Sequence, residues 1–132
     1  MQFTMKIEHI AIWTDNIEQL KEFYETYFGA VSGEKYVNRE KRFQSYFLTF
    51  HSGARLEIMQ RPDIKSREKN YGEYYGYAHL AISAESEEEV NKLTGQLMQD
   101  GFKILDGPRR TGDGYYESVI LDSDGNSIEI TV

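Results

Sequence analysis

The stretches that decide the fold are Lys6–Trp13, KIEHIAIW, and Gly76–Ser83, GYAHLAIS. Each carries a histidine followed by apolar-Ala-Ile, and the two histidines, His9 and His79, lie 70 residues apart. A second pair repeats at nearly the same offset. Gly53–Met59, GARLEIM, and Gly125–Thr131, GNSIEIT, place Glu57 and Glu129 72 residues apart. Two matches at one offset indicate a tandem duplication, which has to be recognised before any fold is assigned.

Each copy predicts the same order of elements. An alternating strand ends near Thr14 in the first copy and near Ser83 in the second. In the first copy Ile17, Leu20, Phe23, Tyr24 and Tyr27 then follow one helical face, with Gly29 just past its end. In the second, Ser86-Glu-Glu-Glu89 forms a capping box, Val90, Leu93, Leu97 and Met98 make the apolar stripe, and Gly101 is the stop. Three short strands complete each copy. They are predicted at Ser32–Val37, Gln44–Phe50 and Arg55–Gln60, then at Lys103–Gly107, Tyr116–Leu121 and Ser127–Val132. His51-Ser-Gly53 and Asp122-Ser-Asp-Gly125 supply the turns before the last strands. The fold class is therefore α+β: two tandem βαβββ modules, 1–60 and 76–132, joined by a polar, tyrosine-rich linker over 61–75. Together they are expected to form one domain.

The composition agrees with one globular domain of 132 residues and excludes several functions. Fifteen Lys and Arg face 22 Asp and Glu, a formal charge of −7, so the basic footprint of a nucleic-acid binder is missing. With no cysteine there is no disulfide scaffold, thiolate zinc site or cysteine nucleophile. Nothing approaches the roughly 18 apolar residues of a membrane span, and charges interrupt the N-terminus where a signal peptide needs an apolar run. A cytoplasmic protein is expected.

Side chains two apart on a strand share a face. His9 then lies with Ala11 and Trp13, opposite Ile10 and Ile12, and Glu57 lies with Arg55 and Met59, opposite Leu56 and Ile58. The second copy matches: His79 opposes Leu80 and Ile82, and Glu129 opposes Ile128 and Ile130. With the aliphatic faces packed on the helices, both His–Glu pairs occupy the other face. A lone strand histidine is more often a hydrogen-bonded core residue than a ligand. The same pair recurring in register in both copies favours a site instead. Two imidazoles and two carboxylates suit one divalent first-row metal, with room for water.

At this point the chain resembles the vicinal oxygen chelate superfamily of glyoxalase-like proteins. The residues that carry the resemblance are HIAI at His9, FYETYFGA from Phe23, HLAI at His79 and LDSDGNSIEI from Leu121. It implies paired βαβββ modules forming a curved mixed sheet around a metal, with His9, Glu57, His79 and Glu129 at the ligand positions of the glyoxalase I branch. The glutathione-dependent enzymes carry Arg four residues after the first His and Asn four after the first Glu; here these positions are Trp13 and Arg61. Indole in place of guanidinium removes a charge and its donors, so poor use of glutathione is expected. Ala11 stands where the fosfomycin-resistance branch has Thr, and that branch does not use the first-half carboxylate as a ligand. Glu57 would fill a position that extradiol dioxygenases keep open, and the bleomycin-resistance branch lacks the ligands altogether.

The implied chemistry is that of a lyase or isomerase that removes a proton beside a metal-polarised carbonyl of a small α-hydroxycarbonyl-type substrate. A ligand carboxylate serves as base, Glu129 by resemblance and Glu57 by pseudo-symmetry. The metal is zinc, nickel, cobalt or manganese. Trp13, Met59 and Tyr77 are expected to line an apolar pocket, and Arg109 and Arg110, in a Gly-rich loop, to hold a substrate anion. His51 and the Arg39-Glu-Lys-Arg42 hairpin are expected at the surface, and Glu87–Glu89 to serve the helix dipole. A homodimer is expected, its sites built within one chain or across two. The alternative function is a protein that binds and sequesters a small molecule without turnover.

Overall fold

The computed structural model describes residues 3–66 and 73–132. The chain divides into two compact units, 1–68 and 69–132; residues 67–72 of the predicted linker lie outside the described residues.

The first unit runs β1 (His9–Trp13), α1 (Ile17–Phe28), β2 (Val31–Ser32), β3 (Tyr36–Asn38), β4 (Phe43–Thr49) and β5 (Arg55–Gln60). β1 pairs parallel with β5, β5 antiparallel with β4, and β2 and β3 both pair antiparallel with β4. The single strand expected over Ser32–Val37 is broken. Ser32 opposes Leu48 and Tyr36 opposes Ser45, so one extra residue is inserted between the two pairings. That makes it an edge strand interrupted by a bulge. Helix α1 starts where Asn16 Oδ1 accepts the Gln19 N–H at 3.2 Å. Gln60, at the end of β5, accepts the Ile17 N–H at 2.9 Å and donates to the Asp15 carbonyl at 3.0 Å, tying the helix start to the sheet. Gly29 closes the helix at φ +64, where a side chain would be strained. Ile17, Leu20, Phe23 and Tyr24 are buried, as are Tyr46, Leu48, Leu56 and Ile58 on the strands beneath. Each full burial of this kind contributes roughly 1.5–3 kcal/mol.

The second unit runs β6 (Leu80–Ser83), α2 (Glu87–Gln99), β7 (Ile104–Arg110), β8 (Tyr116–Leu121) and β9 (Ser127–Thr131), with sheet order β6-β9-β8-β7. Again the first strand pairs parallel with the last. Ser86 Oγ accepts the Glu89 N–H at 3.2 Å, and the three glutamates occupy the first turn of α2. The helix's apolar stripe differs from the expected one. Met98 is 62% exposed, while Thr94 is buried with Val90 and Leu97. Thr94 satisfies itself inside: its hydroxyl donates to the Val90 carbonyl at 2.6 Å and meets Ser118 Oγ at 2.7 Å. Strand β7 is expected to end at Gly107 but continues to Arg110 through two register shifts against β8, one between Ile104 and Asp106 and one between Asp106 and Arg109 that takes in Gly107-Pro108. Gly107 has φ +75, and a β-carbon there would lie 2.5 Å from the Glu117 carbonyl oxygen, so only glycine fits. Asp122 builds the last turn, Oδ1 accepting the Asp124 and Asn126 N–H groups at 2.9 Å each.

No helix among the described residues is long and apolar enough to cross a membrane.

Candidate metal centre

Both units place a histidine and a glutamate on the face opposite their helix. In the first, Ala11 is the register partner of Glu57, and His9, two residues earlier on the same face, brings Nε2 to 3.7 Å from Glu57 Oε1. In the second, Ala81 is the partner of Glu129, and His79 Nε2 stands 3.1 Å from Glu129 Oε1. The His9 ring is held from behind. Its Nδ1 lies 3.2 Å from Glu8 Oε1, and Glu8 is gripped by Arg55, whose Nε donates at 3.1 Å. Hydrogen bonding to Arg55 holds the Glu8 carboxyl below the ordinary carboxylate range. Occupying Nδ1 in this way turns Nε2 toward Glu57, the arrangement that orients metal-binding imidazoles.

The surroundings of the two pairs differ. In the first unit Phe47, the β4 partner of Glu57, stands edge-on to the His9 ring at 5.2 Å, and Arg55 stacks on Phe47 at 4.1 Å. Further along the same face Trp13 is 40% exposed, meets Phe43 edge-on at 6.1 Å, and carries Arg61 over its ring at 5.2 Å. Met59 lies half-buried between the register partners Trp13 and Ser45. In the second unit the face is polar. Glu117 of β8 lies diagonally across from Glu129 on the same face, and burial first, then the Glu129 carboxylate, push its carboxyl above the ordinary range. Thr131, opposite Glu117, has a buried hydroxyl without a partner among the described residues.

Among the described residues no group of three His, Asp or Glu side chains is arranged to hold a metal ion. Each His–Glu pair offers one nitrogen and one carboxylate, and Glu117 adds a second carboxyl beside Glu129. The donor chemistry fits: two imidazoles and two carboxylates suit a divalent first-row ion and leave positions for water or substrate.

The family profile of the Glyoxalase/Bleomycin resistance protein/Dioxygenase superfamily matches residues 6–130, both His–Glu pairs included. The chain belongs to this superfamily. Among solved structures, a glyoxalase family protein from Enterococcus faecalis is 26% identical with a TM-score of 0.78, over 99% of this chain and 100% of that one. The trypanothione-dependent glyoxalase I of Leishmania major is 22% identical with a TM-score of 0.74, over 96% of this chain and 86% of that one. Glyoxalase I from Zea mays is 20% identical with a TM-score of 0.77; 96% of this chain covers 44% of that larger one. No curated protein matches by sequence.

Within this glyoxalase-superfamily fold, the remaining predicted site residues fall differently. Tyr77 precedes β6 and is fully exposed; strand alternation begins only at Leu80 and does not reach it. Arg109 and Arg110 lie in β7 rather than in a loop, and each is engaged, Arg109 by Asp106 at 2.9 Å and Arg110 by Glu87. Neither guanidinium is left waiting for an anion. His51 is exposed in its turn, as expected. The sequence reading missed Glu8, Phe47 and Glu117. Alternation along β8 puts Glu117 on one face with Val119, and only the Val119–Glu129 pairing shows that this is the Glu129 face.

Proposed function

We propose that this superfamily member is a metal-dependent lyase or isomerase that transfers a proton at the carbon next to a carbonyl in a small α-hydroxycarbonyl-type substrate. His9, Glu57, His79 and Glu129 would hold one divalent ion, zinc, nickel, cobalt or manganese. When bound, the ion supplies a Lewis acid that polarises the carbonyl and acidifies the neighbouring C–H. The single observation behind this reading is the His–Glu pair repeated in both units, His9 opening β1 and His79 just ahead of β6, at 3.7 and 3.1 Å.

The protein's own residues divide the work. Glu129 takes the proton, with Glu57 as the pseudo-symmetric alternative. Supporting Glu129 is the second carboxyl, Glu117, on the same face beside it, whereas Glu57 faces the Phe47 ring across its strand pair. Trp13 and Met59 supply an apolar wall that shields the reacting carbon from water. Trp13 and Arg61 replace the residues that grip glutathione in related enzymes, so smaller or more apolar substrates are expected to outperform the methylglyoxal–glutathione adduct.

The protein is proposed to act as a homodimer. Within their own sheets β1 and β6 are edge strands, and Phe3, Met5 and Ile7 ahead of β1 are exposed, a pattern that favours association. A sedimentation mass of one chain at micromolar concentration would contradict it.

The test of the reaction is deuterium incorporation, followed by NMR, across a panel of α-hydroxycarbonyl compounds in heavy water with metal-loaded protein. Exchange that requires both the metal and Glu129 is expected, with Glu129→Gln slowing it by about 10²–10⁴-fold. The half-exposed Trp13 also suits a protein that binds without turnover; tight binding of a panel member with no exchange would favour that second reading.

A further inference from the structure

Four cationic side chains gather at one end of the first unit, in a chain whose formal charge is −7. Arg39, Lys41 and Arg42 lie on the β3–β4 turn, and Arg61 follows β5. They line two adjoining clefts of about 490 and 380 Å³, with Arg42 and Pro62 in the walls of both. Glu40 and Asp63 line the smaller cleft. The larger has no carboxylate in its described wall and offers the amides of Asn38 and Gln44 beside Arg39 and Arg42.

Arg39 and Arg42 are unlike the other arginines named so far. Arg55 is engaged by Glu8, Arg61 by Asp63, Arg109 by Asp106 and Arg110 by Glu87. Among the described residues neither Arg39 nor Arg42 forms an ion pair with a carboxylate; Asp63, already held by Arg61, feels the Arg42 charge only at longer range. Their turn is nevertheless ordered: Asn38 Oδ1 accepts the Lys41 N–H at 3.1 Å, and the Arg42 N–H donates to the Arg39 carbonyl at 3.3 Å. Arg42 is also the one non-glycine described residue with positive φ, at +55, a conformation uncommon outside glycine. An ordered turn loses little further backbone freedom when a ligand arrives, and the planar guanidinium matches an oxyanion with two parallel hydrogen bonds.

We propose that the larger cleft binds the phosphate or carboxylate group of a small anionic ligand, with Arg39 and Arg42 as its principal contacts. This assignment does not rest on the metal reading. Phe43, in the cleft wall, packs on Trp13, which is four residues along β1 from His9, roughly 13 Å at strand spacing, so the cleft lies beyond the Trp13 wall from the His9–Glu57 pair.

The chain's single tryptophan reports on the cleft, because Trp13 lies under Arg61 and against Phe43, a wall residue. Inorganic phosphate and, separately, succinate are titrated into the full chain by tryptophan fluorescence and by calorimetry, against sodium chloride of equal ionic strength. Saturable binding of at least one anion is expected, and the tighter of the two identifies the group preferred. Arg42→Gly suits the positive φ and keeps the turn; combined with Arg39→Ala it should weaken binding by roughly tenfold or more, about 1.4 kcal/mol. Arg110→Ala, in the other unit, should leave binding unchanged. Absence of saturable binding by both methods, or equal affinity in the double variant, overturns the proposal.

Discussion

His79, just ahead of β6, reaches diagonally to Glu129 on the parallel strand β9, its Nε2 3.1 Å from Oε1, because the residue directly opposite Glu129 is Ala81. His9 and Glu57 repeat the relation around Ala11. Alanine at the opposing position leaves space between the strands' side chains, so imidazole and carboxylate meet over a methyl group. Duplication of one strand pair thus yields two equivalent nitrogen–oxygen donor pairs.

The β7–β8 pairing that carries Glu117 depends on Gly107. Alanine there meets both the left-handed φ of +75 and the Glu117 carbonyl at 2.5 Å. Gly107→Ala is expected to cost about 2 kcal/mol or more in urea unfolding. Gly125 has φ +86 with no atom within 4 Å of a β-carbon, so Gly125→Ala bears the backbone strain alone and should cost less. Equal losses would contradict the role of the close approach.

Inside the second unit, Thr94 donates to Val90, which leaves Ser118 as the donor in their shared contact. Thr94→Val keeps the shape but strands the Ser118 hydroxyl, at an expected cost of roughly 1–3 kcal/mol. Adding Ser118→Ala should restore much of that loss. Chemical denaturation of the two variants measures both steps.

Lys35 holds Glu18 at 2.7 Å, and the Tyr46 hydroxyl donates to it at 2.9 Å. The Lys35 hydrogen bond lowers the Glu18 pKa below its ordinary value. A depressed carboxylate stabilises the fold above the unfolded-state pKa, and that contribution disappears as pH falls through the folded-state value. Glu18 is about half exposed, so the effect is screened and amounts to about 1 kcal/mol or less. Glu18→Gln should therefore be less stable than the parent at neutral pH, and the gap should close as the solution is acidified below the ordinary carboxylate range. A gap that persists there would rule the ion pair out as its source.

Much of this was legible along the chain, for identifiable reasons. The strands Arg55–Gln60 and Tyr116–Leu121 fall on their expected bounds, because each has a strict alternation with Leu56 and Ile58, or Ser118 and Ile120, buried. Alternation also placed His9, Glu57 and Glu129 opposite the core. It failed where a bulge shifts the register, as between Ser32 and Tyr36, and where Gly107-Pro108 resembles a strand end but is absorbed within one. Helical periodicity missed Thr94 because a hydroxyl bonded to its own helix behaves as an apolar residue would. Glu117 was missed for a different reason. Alternation assigns a residue to a face but does not name its neighbour on the next strand.

The metal site is tested most directly by calorimetric titration of zinc, nickel, cobalt and manganese into chelator-treated protein, with elemental analysis after dialysis. One ion per chain is expected for at least one of these metals. His9→Ala, Glu57→Ala, His79→Ala and Glu129→Ala should each weaken it by at least the 10–100-fold that losing even an outer-shell partner costs. No binding of any of the four metals, or unaltered binding in Glu57→Ala, would contradict it.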